Sequence, residues 1–221
     1  MTDPNTIVLT YIFNTDGASV FQSSKRAIWP IFIILNELPP KLRFRHTLLA
    51  GLLLVKNEPS SAMMNTYLQS FVNQAKELSS VGFKLTCSDG KVKRILVKPL
   101  LCSVDTVARP ILQNRVQFNG YYGCSWCYDK GKYEGGCMRF LIHENEPDDR
   151  THDRHMRDMV EVITKCPKFT EKRKNRININ GVKGFSVLTE LPTLDMIMVV
   201  CERLHARRSV RHYKTFMVDM K

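Results

Sequence analysis

Ile7-Val8-Leu9-Thr10-Tyr11-Ile12-Phe13, followed by Asn14-Thr15-Asp16-Gly17, is the stretch on which the fold turns. Seven β-branched, aliphatic and aromatic residues without Gly or Pro predict a strand. Asn14–Gly17 is a turn signal, and Ala18–Phe21 reads as the strand returning from it. Working outward, Ile28–Leu38 begins with Trp29-Pro30 and reads as a second long strand, stopped by Pro39-Pro40. His46–Val55 is a third apolar run, short enough for a buried strand. Tyr67, Leu68, Phe71, Val72, Ala75 and Leu78 recur at steps of one, three and four, which predicts an amphipathic helix ending near Gly82. Val92–Val104 is a long strand-like run with Pro99 inside it. A proline there removes one ladder hydrogen bond, so it predicts a bulge or a sheet edge. Asp105-Thr106 starts a short helix over 107–113. The order over 7–113 is therefore β-β-β-α-β-α, an α/β chain with a mixed sheet.

Composition narrows the function classes. The 221 residues are 43% hydrophobic and 24% charged, which excludes a low-complexity or collagen-like chain. The longest apolar runs, 28–35 and 48–55, fall far short of the roughly 20 residues a membrane helix needs, so no membrane partner is expected. Met1-Thr2-Asp3-Pro4 carries no secretory signal, and seven cysteines make an odd, sparse set. A reducing, intracellular compartment fits better than a disulfide framework. Lys plus Arg number 33 against 21 Asp plus Glu, for a net charge of +12, and each half of the chain contributes +6. So basic a surface favours polyanions, nucleic acid above all.

Three groups of residues can carry chemistry. Asp16 and Asp105 end the first and fourth long strands. Where those strands are neighbours, the two carboxylates meet at one edge and repel unless a cation sits between them. Mg²⁺ or Mn²⁺ suits such a site, and ions held this way activate a water or a 3′-hydroxyl in phosphodiester chemistry. Each aspartate also has a plain structural reading: Asp-Gly turns hairpins, and Asp105 before Thr106 caps a helix. Cys124-Ser125-Trp126-Cys127 is a CxxC pair whose thiolates can chelate structural Zn²⁺, with Cys137, His143, His152 and His155 within reach as further ligands. A redox pair and unliganded thiols are the rival readings. The third group is the basic block of Lys165, Lys168, Lys172, Arg173, Lys174 and Arg176 against Glu171, a local net of +5. It reads as a phosphate-tracking surface or as a solvated face.

The string IFNTDGASVFQSSKRAIWPIFIILNELPPKLRF, then Lys56-Asn57-Glu58-Pro59, PLLCSVDTVARPILQN and FNGYYGCSWC, resembles transposase-like proteins of the CACTA (En/Spm) type over roughly residues 9–200. The resemblance implies a ribonuclease-H-like core and a DDE-type metal-dependent mechanism of DNA cleavage and strand transfer. Asp16 falls on the first catalytic aspartate of the family and Asp105 on the second. Cys124 and Cys127 fall on its zinc-knuckle cysteines. DNA, a second copy or a full-length transposase are the implied partners, and the nucleus is the implied compartment.

On this reading, residues 7–118 form the first part of the ribonuclease-H-like core and 119–160 a CxxC zinc-knuckle insertion. Residues 161–200 form a basic loop and the start of a later insertion, and 201–221 an out-of-frame or disordered tail. The third acidic residue, which the family carries on a late helix, is expected to be missing, leaving a catalytically incomplete fragment. The alternative is a non-enzymatic, zinc-stabilised module that binds nucleic acid or protein; a pseudogene product is the third reading. The family carries Asp-Tyr-Met-His after its LP-x-x-D segment, whereas here Leu191-Pro192-Thr193-Leu194-Asp195 is followed by Glu202-Arg203-Leu204-His205. A frameshift near residue 199 accounts for this. Arg203, Arg207, Arg208, Arg211 and Lys214 would then carry no evolved meaning, leaving a net of +7. Sequencing the gene checks it: the frame shifted by one base is predicted to encode Ser-Asp-Tyr-Met-His-Gly-Val, and its absence rejects the frameshift.

Overall fold

The computed structural model describes residues 3–19, 26–141, 145–165, 177–196 and 199–200. Its elements, in chain order, are β1 (Thr6–Thr15), β2 (Ala18–Ser19), β3 (Ala27–Leu35), α1 (Pro40–Arg43), β4 (Leu48–Val55), α2 (Ser61–Ser80), β5 (Phe83–Thr86), β6 (Val92–Ser103), α3 (Ala108–Leu112), β7 (Lys132–Glu134), β8 (Cys137–Arg139), α4 (His152–Lys165), a 3-10 turn at Val187–Glu190, and β9 (Val199–Val200). The chain is mixed α/β. His143, Lys168, Lys172, Arg173, Lys174, Arg176 and the tail after 200 lie outside the described residues.

One mixed sheet organises the molecule. β1 runs antiparallel to β3, and β3 antiparallel to β4. On its other side β1 runs parallel to β6. The far side of β6 carries antiparallel β5 at one end and parallel β9 at the other. Across the sheet the order is thus β4, β3, β1, β6, then β5 and β9.

Local chemistry sets these elements. Ser60 caps α2, its hydroxyl accepting from the Met63 N–H at 3.3 Å. Met64, Leu68, Phe71, Val72 and Ala75 are buried at helical spacing, and they face Tyr11, Phe13, Trp29 and Ile31 of the sheet. The Phe13 and Phe71 rings lie 5.1 Å apart. Gly82 ends the helix at φ +67°, where a side chain would also strike the Ile95 carbonyl 2.0 Å away. α3, the 3-10 turn and Leu191, Leu194, Met196 and Val199 close the same core.

Several expectations need adjusting. Pro99 does mark a bulge: Tyr11 faces Pro99 and Ile12 faces Leu101, so one residue is skipped. It also falls on a locally open edge, because among the described residues β5 pairs only with Val92–Ile95 and β9 only with Cys102–Ser103. The strand returning after Gly17 pairs with β3 through Ala18–Ile28, not with β1. β5, the β7–β8 hairpin and α4 are elements that the sequence pattern does not assign. Among the described residues, no helix is long and apolar enough to cross a membrane.

A candidate metal centre at the strand ends

The parallel ladder between β1 and β6 continues to Asn14 opposite Ser103. The Asn14 side-chain amide donates to the Ser103 carbonyl at 2.6 Å and clamps the two strand ends together. Asp16 lies two residues beyond Asn14, and Asp105 two residues beyond Ser103. Parallel neighbours with equal offsets leave the sheet at the same level, so the two aspartates share one end.

Their electrostatics bear this out. The Asp16 carboxyl is held above the usual carboxylate range, first by partial burial, then by the charge of Asp105. A 2.7 Å hydrogen bond from the Gly17 N–H to Asp16 Oδ1 works the other way. Asp105 Oδ1 accepts from the N–H groups of Val107 (2.8 Å) and Ala108 (2.6 Å) at the start of α3. Capping thus engages one oxygen of each carboxylate, and among the described residues the second oxygen of each has no hydrogen-bond donor. Among them, too, no third His, Cys, Asp or Glu joins the pair. Two carboxylates that sense each other's charge, each with a second oxygen lacking a donor among the described residues, are the oxygen ligands a hard divalent cation takes, with waters and phosphate supplying the rest.

Gly17 serves this end of the sheet in a way the Asp-Gly signal does not convey. It has no positive φ. A Cβ there would instead lie 2.9 Å from two ring carbons of Trp29, so the indole closes against bare backbone beside Asp16.

The CxxC pair forms a separate centre. Cys124 and Cys127 place their sulfurs 3.4 Å apart, near the roughly 3.8 Å edge of a tetrahedron built on 2.3 Å zinc–sulfur bonds. Two buried arginines fix the loop. Arg150 Nε donates to the carbonyls of Cys124 (2.9 Å) and Cys127 (3.1 Å), and its Nη2 donates to Tyr122 (3.0 Å) and Asn180 (2.8 Å). Arg115 Nη2 donates to Cys124 O at 2.9 Å. Burial, then the charges of Arg150 and Arg109, lowers the Arg115 pKa. Sequence patterning gave no sign of these arginines, because a charged residue reads as surface until its acceptors are known.

The other proposed zinc ligands disperse. Cys137 lies on the exposed β7–β8 hairpin, its thiol against the Glu134 carbonyl at 3.5 Å. No third ligand joins Cys124 and Cys127 among the described residues. His152 Nδ1 accepts from the Met196 N–H at 3.2 Å. His155 is buried with both ring nitrogens unpartnered, and its pKa is pushed down to about 3 by burial, then by Arg115, Arg150 and His152. It is a neutral imidazole at physiological pH. No protein-family model and no curated protein matches the chain.

A raised Asp16 pKa means that the folded state binds its proton more tightly than the unfolded chain. The group therefore withdraws stability as pH rises from about 3.9 through its folded value. Carboxyl NMR titration is predicted to place Asp16 above the usual range in the metal-free protein and nearer to it in Asp105→Asn. An unchanged midpoint in that variant would show that the carboxylates do not interact.

Proposed function

We propose that this chain is the front part of a DDE-type, CACTA-like transposase, acting on DNA in the nucleus through a ribonuclease-H-like core. The strand arrangement supports this reading: three antiparallel strands (β1, β3 and β4), then two parallel ones (β6 and β9), with α2 between the third and fourth. The observation that carries it is the convergence of Asp16 and Asp105 at the same end of two parallel strands, with the charge of Asp105 raising the pKa of Asp16. Bound Mg²⁺ or Mn²⁺ supplies activation of a water or DNA 3′-hydroxyl and stabilises charge on the leaving oxygen. The residues of this chain do the rest. Asn14 locks the strand ends, the α3 amides orient the Asp105 carboxylate, and Trp29 shields one flank of the turn after Asp16.

Among the described residues two carboxylates meet, enough to secure one ion, whereas two-metal phosphoryl transfer needs a further ligand for the second. The chain is accordingly a cation binder with little or no strand-cleaving activity of its own. A second reading is favoured by the paired thiols: a Zn²⁺-stabilised module that binds nucleic acid or a full-length transposase, with Cys124 and Cys127 holding the metal.

At ten times its dissociation constant, Mn²⁺ is predicted to raise the melting temperature by about 3–5 °C. Asp16→Asn and Asp105→Asn are predicted to abolish the shift. Nicking of plasmid DNA by the isolated chain should stay close to background. Equal Mn²⁺ shifts in all three proteins, or nicking that survives both substitutions, would reject the site.

A further inference from the structure

The cysteine loop holds two thiols in contact, and they differ in access. The Cys124 and Cys127 sulfurs are 3.4 Å apart, the Cys127 thiol donating to the Cys124 sulfur. Cys127 is only 3% exposed, whereas Cys124 is partly exposed. A reagent arriving from solvent therefore meets Cys124 first. The backbone beneath both is clamped. A single nitrogen, Arg150 Nε, donates to the Cys124 and Cys127 carbonyls at 2.9 and 3.1 Å, and Arg115 Nη2 donates to the Cys124 carbonyl as well. The Arg150 N–H donates to the Trp126 carbonyl at 2.8 Å and the Tyr128 N–H to that of Asp148 at 2.9 Å, pairing the loop with residues 148–150. Thiols held this way meet at an effective concentration that a flexible chain does not give them. Other cysteines are placed differently. Cys102 is fully buried in the core, and the exposed Cys137 thiol meets the Glu134 carbonyl with no second sulfur in contact among the described residues.

We propose that Cys124 and Cys127 form a thiol–disulfide exchange site whose substrate is a small soluble disulfide of the glutathione type. Cys124 is the attacking residue and Cys127 the resolving one. In the first step the Cys124 sulfur bonds to one sulfur of the substrate, the substrate S–S bond breaks, and its other half leaves as a thiol. In the second step the Cys127 sulfur attacks the Cys124 sulfur, the Cys124–Cys127 bond forms, and the remaining half leaves. The two cysteines together lose two electrons and two protons. The substrate gains both and becomes two thiols. Excess thiol reverses the two steps and reopens the pair.

This site needs neither Asp16 nor Asp105 and goes beyond the cation site at the strand ends. It does use the sulfurs that the zinc reading uses, and a bound zinc ion blocks closure by occupying both. The exchange is therefore a property of the zinc-free pair.

Incubating the chelator-treated full chain with oxidised glutathione and mapping its peptides by mass spectrometry tests the proposal. The expected product is a Cys124–Cys127 peptide two hydrogens lighter and free of glutathione, while Cys137 keeps a bound glutathione. Cys127→Ser should retain glutathione on Cys124, and Cys124→Ser should leave Cys127 unmodified. Both arginines bind carbonyls, so the serine variants keep the clamp. At one glutathione ratio, the folded chain should reach a proportion of closed to open pair roughly tenfold higher than the urea-unfolded chain, because the clamp exists only in the fold. A pair that stays open under conditions that load Cys137 overturns the proposal. Glutathione resting on Cys124 of the unsubstituted chain, or an equal proportion in urea, overturns it too. Zinc uptake by the same chain is measured separately. Closure without zinc uptake sustains this proposal against the zinc reading, and zinc uptake without closure of the zinc-free pair does the reverse.

Discussion

Parallel pairing of β1 with β6 is the constraint from which the candidate chemistry follows. Tyr11, Phe13 and Thr15 are buried on the α2 side of β1, so the register of that strand cannot slip without moving its core face to the opposite side. Once β1 is fixed, the ladder fixes β6, and the Asn14–Ser103 clamp fixes where both strands end. The aspartates then have little freedom to avoid each other. The charge of Asp105 raises the Asp16 pKa at a strand end set by a core of about twenty interlocking residues from the sheet, α2, α3 and the segment around Leu188.

The cysteine loop is held by a different means. The carbonyl oxygens of Tyr122, Cys124 and Cys127 gather around Arg115 and Arg150, beside the buried Trp126 ring. The Arg150 guanidinium also stacks on the Tyr128 ring at 4.3 Å, and the Tyr128 hydroxyl donates to Asp158 on α4 at 3.1 Å. A buried cation surrounded by carbonyls is costly to leave unpaired, so loss of either partner loosens the whole loop. Both sulfurs thus sit on a loop whose Cys124 and Cys127 carbonyls are held by Arg115 and Arg150.

How much of this was legible in the sequence varies with the kind of signal. The long strands and α2 were, because seven-residue β-branched runs and a regular three- and four-residue apolar spacing are properties of neighbouring residues. Pro99 announced its bulge for the same reason. β5 was missed because Phe83–Thr86 is only four residues long and exposed throughout, so it has no buried face to pattern. α4 escapes the apolar pattern because its buried face includes His155 and Asp158, polar residues whose partners come from elsewhere in the chain. Asp16 and Asp105 could be nominated from their places after strands, but their proximity belongs to the pairing of β1 with β6. Cys137 is the instructive counterexample. It lies near the CxxC pair in sequence, yet the β7–β8 hairpin directs it to an exposed local contact.

The proposed cation site can be examined most directly with substoichiometric Mn²⁺ and amide NMR, since paramagnetic broadening reports distance from the ion. The account predicts that Gly17, Val107 and Ala108 lose intensity together, at the same Mn²⁺ concentration, while Cys124 and Cys127 do not. Broadening of the 17 and 107–108 amides at different concentrations, or confined to surface acids such as Asp89 and Glu134, would contradict it.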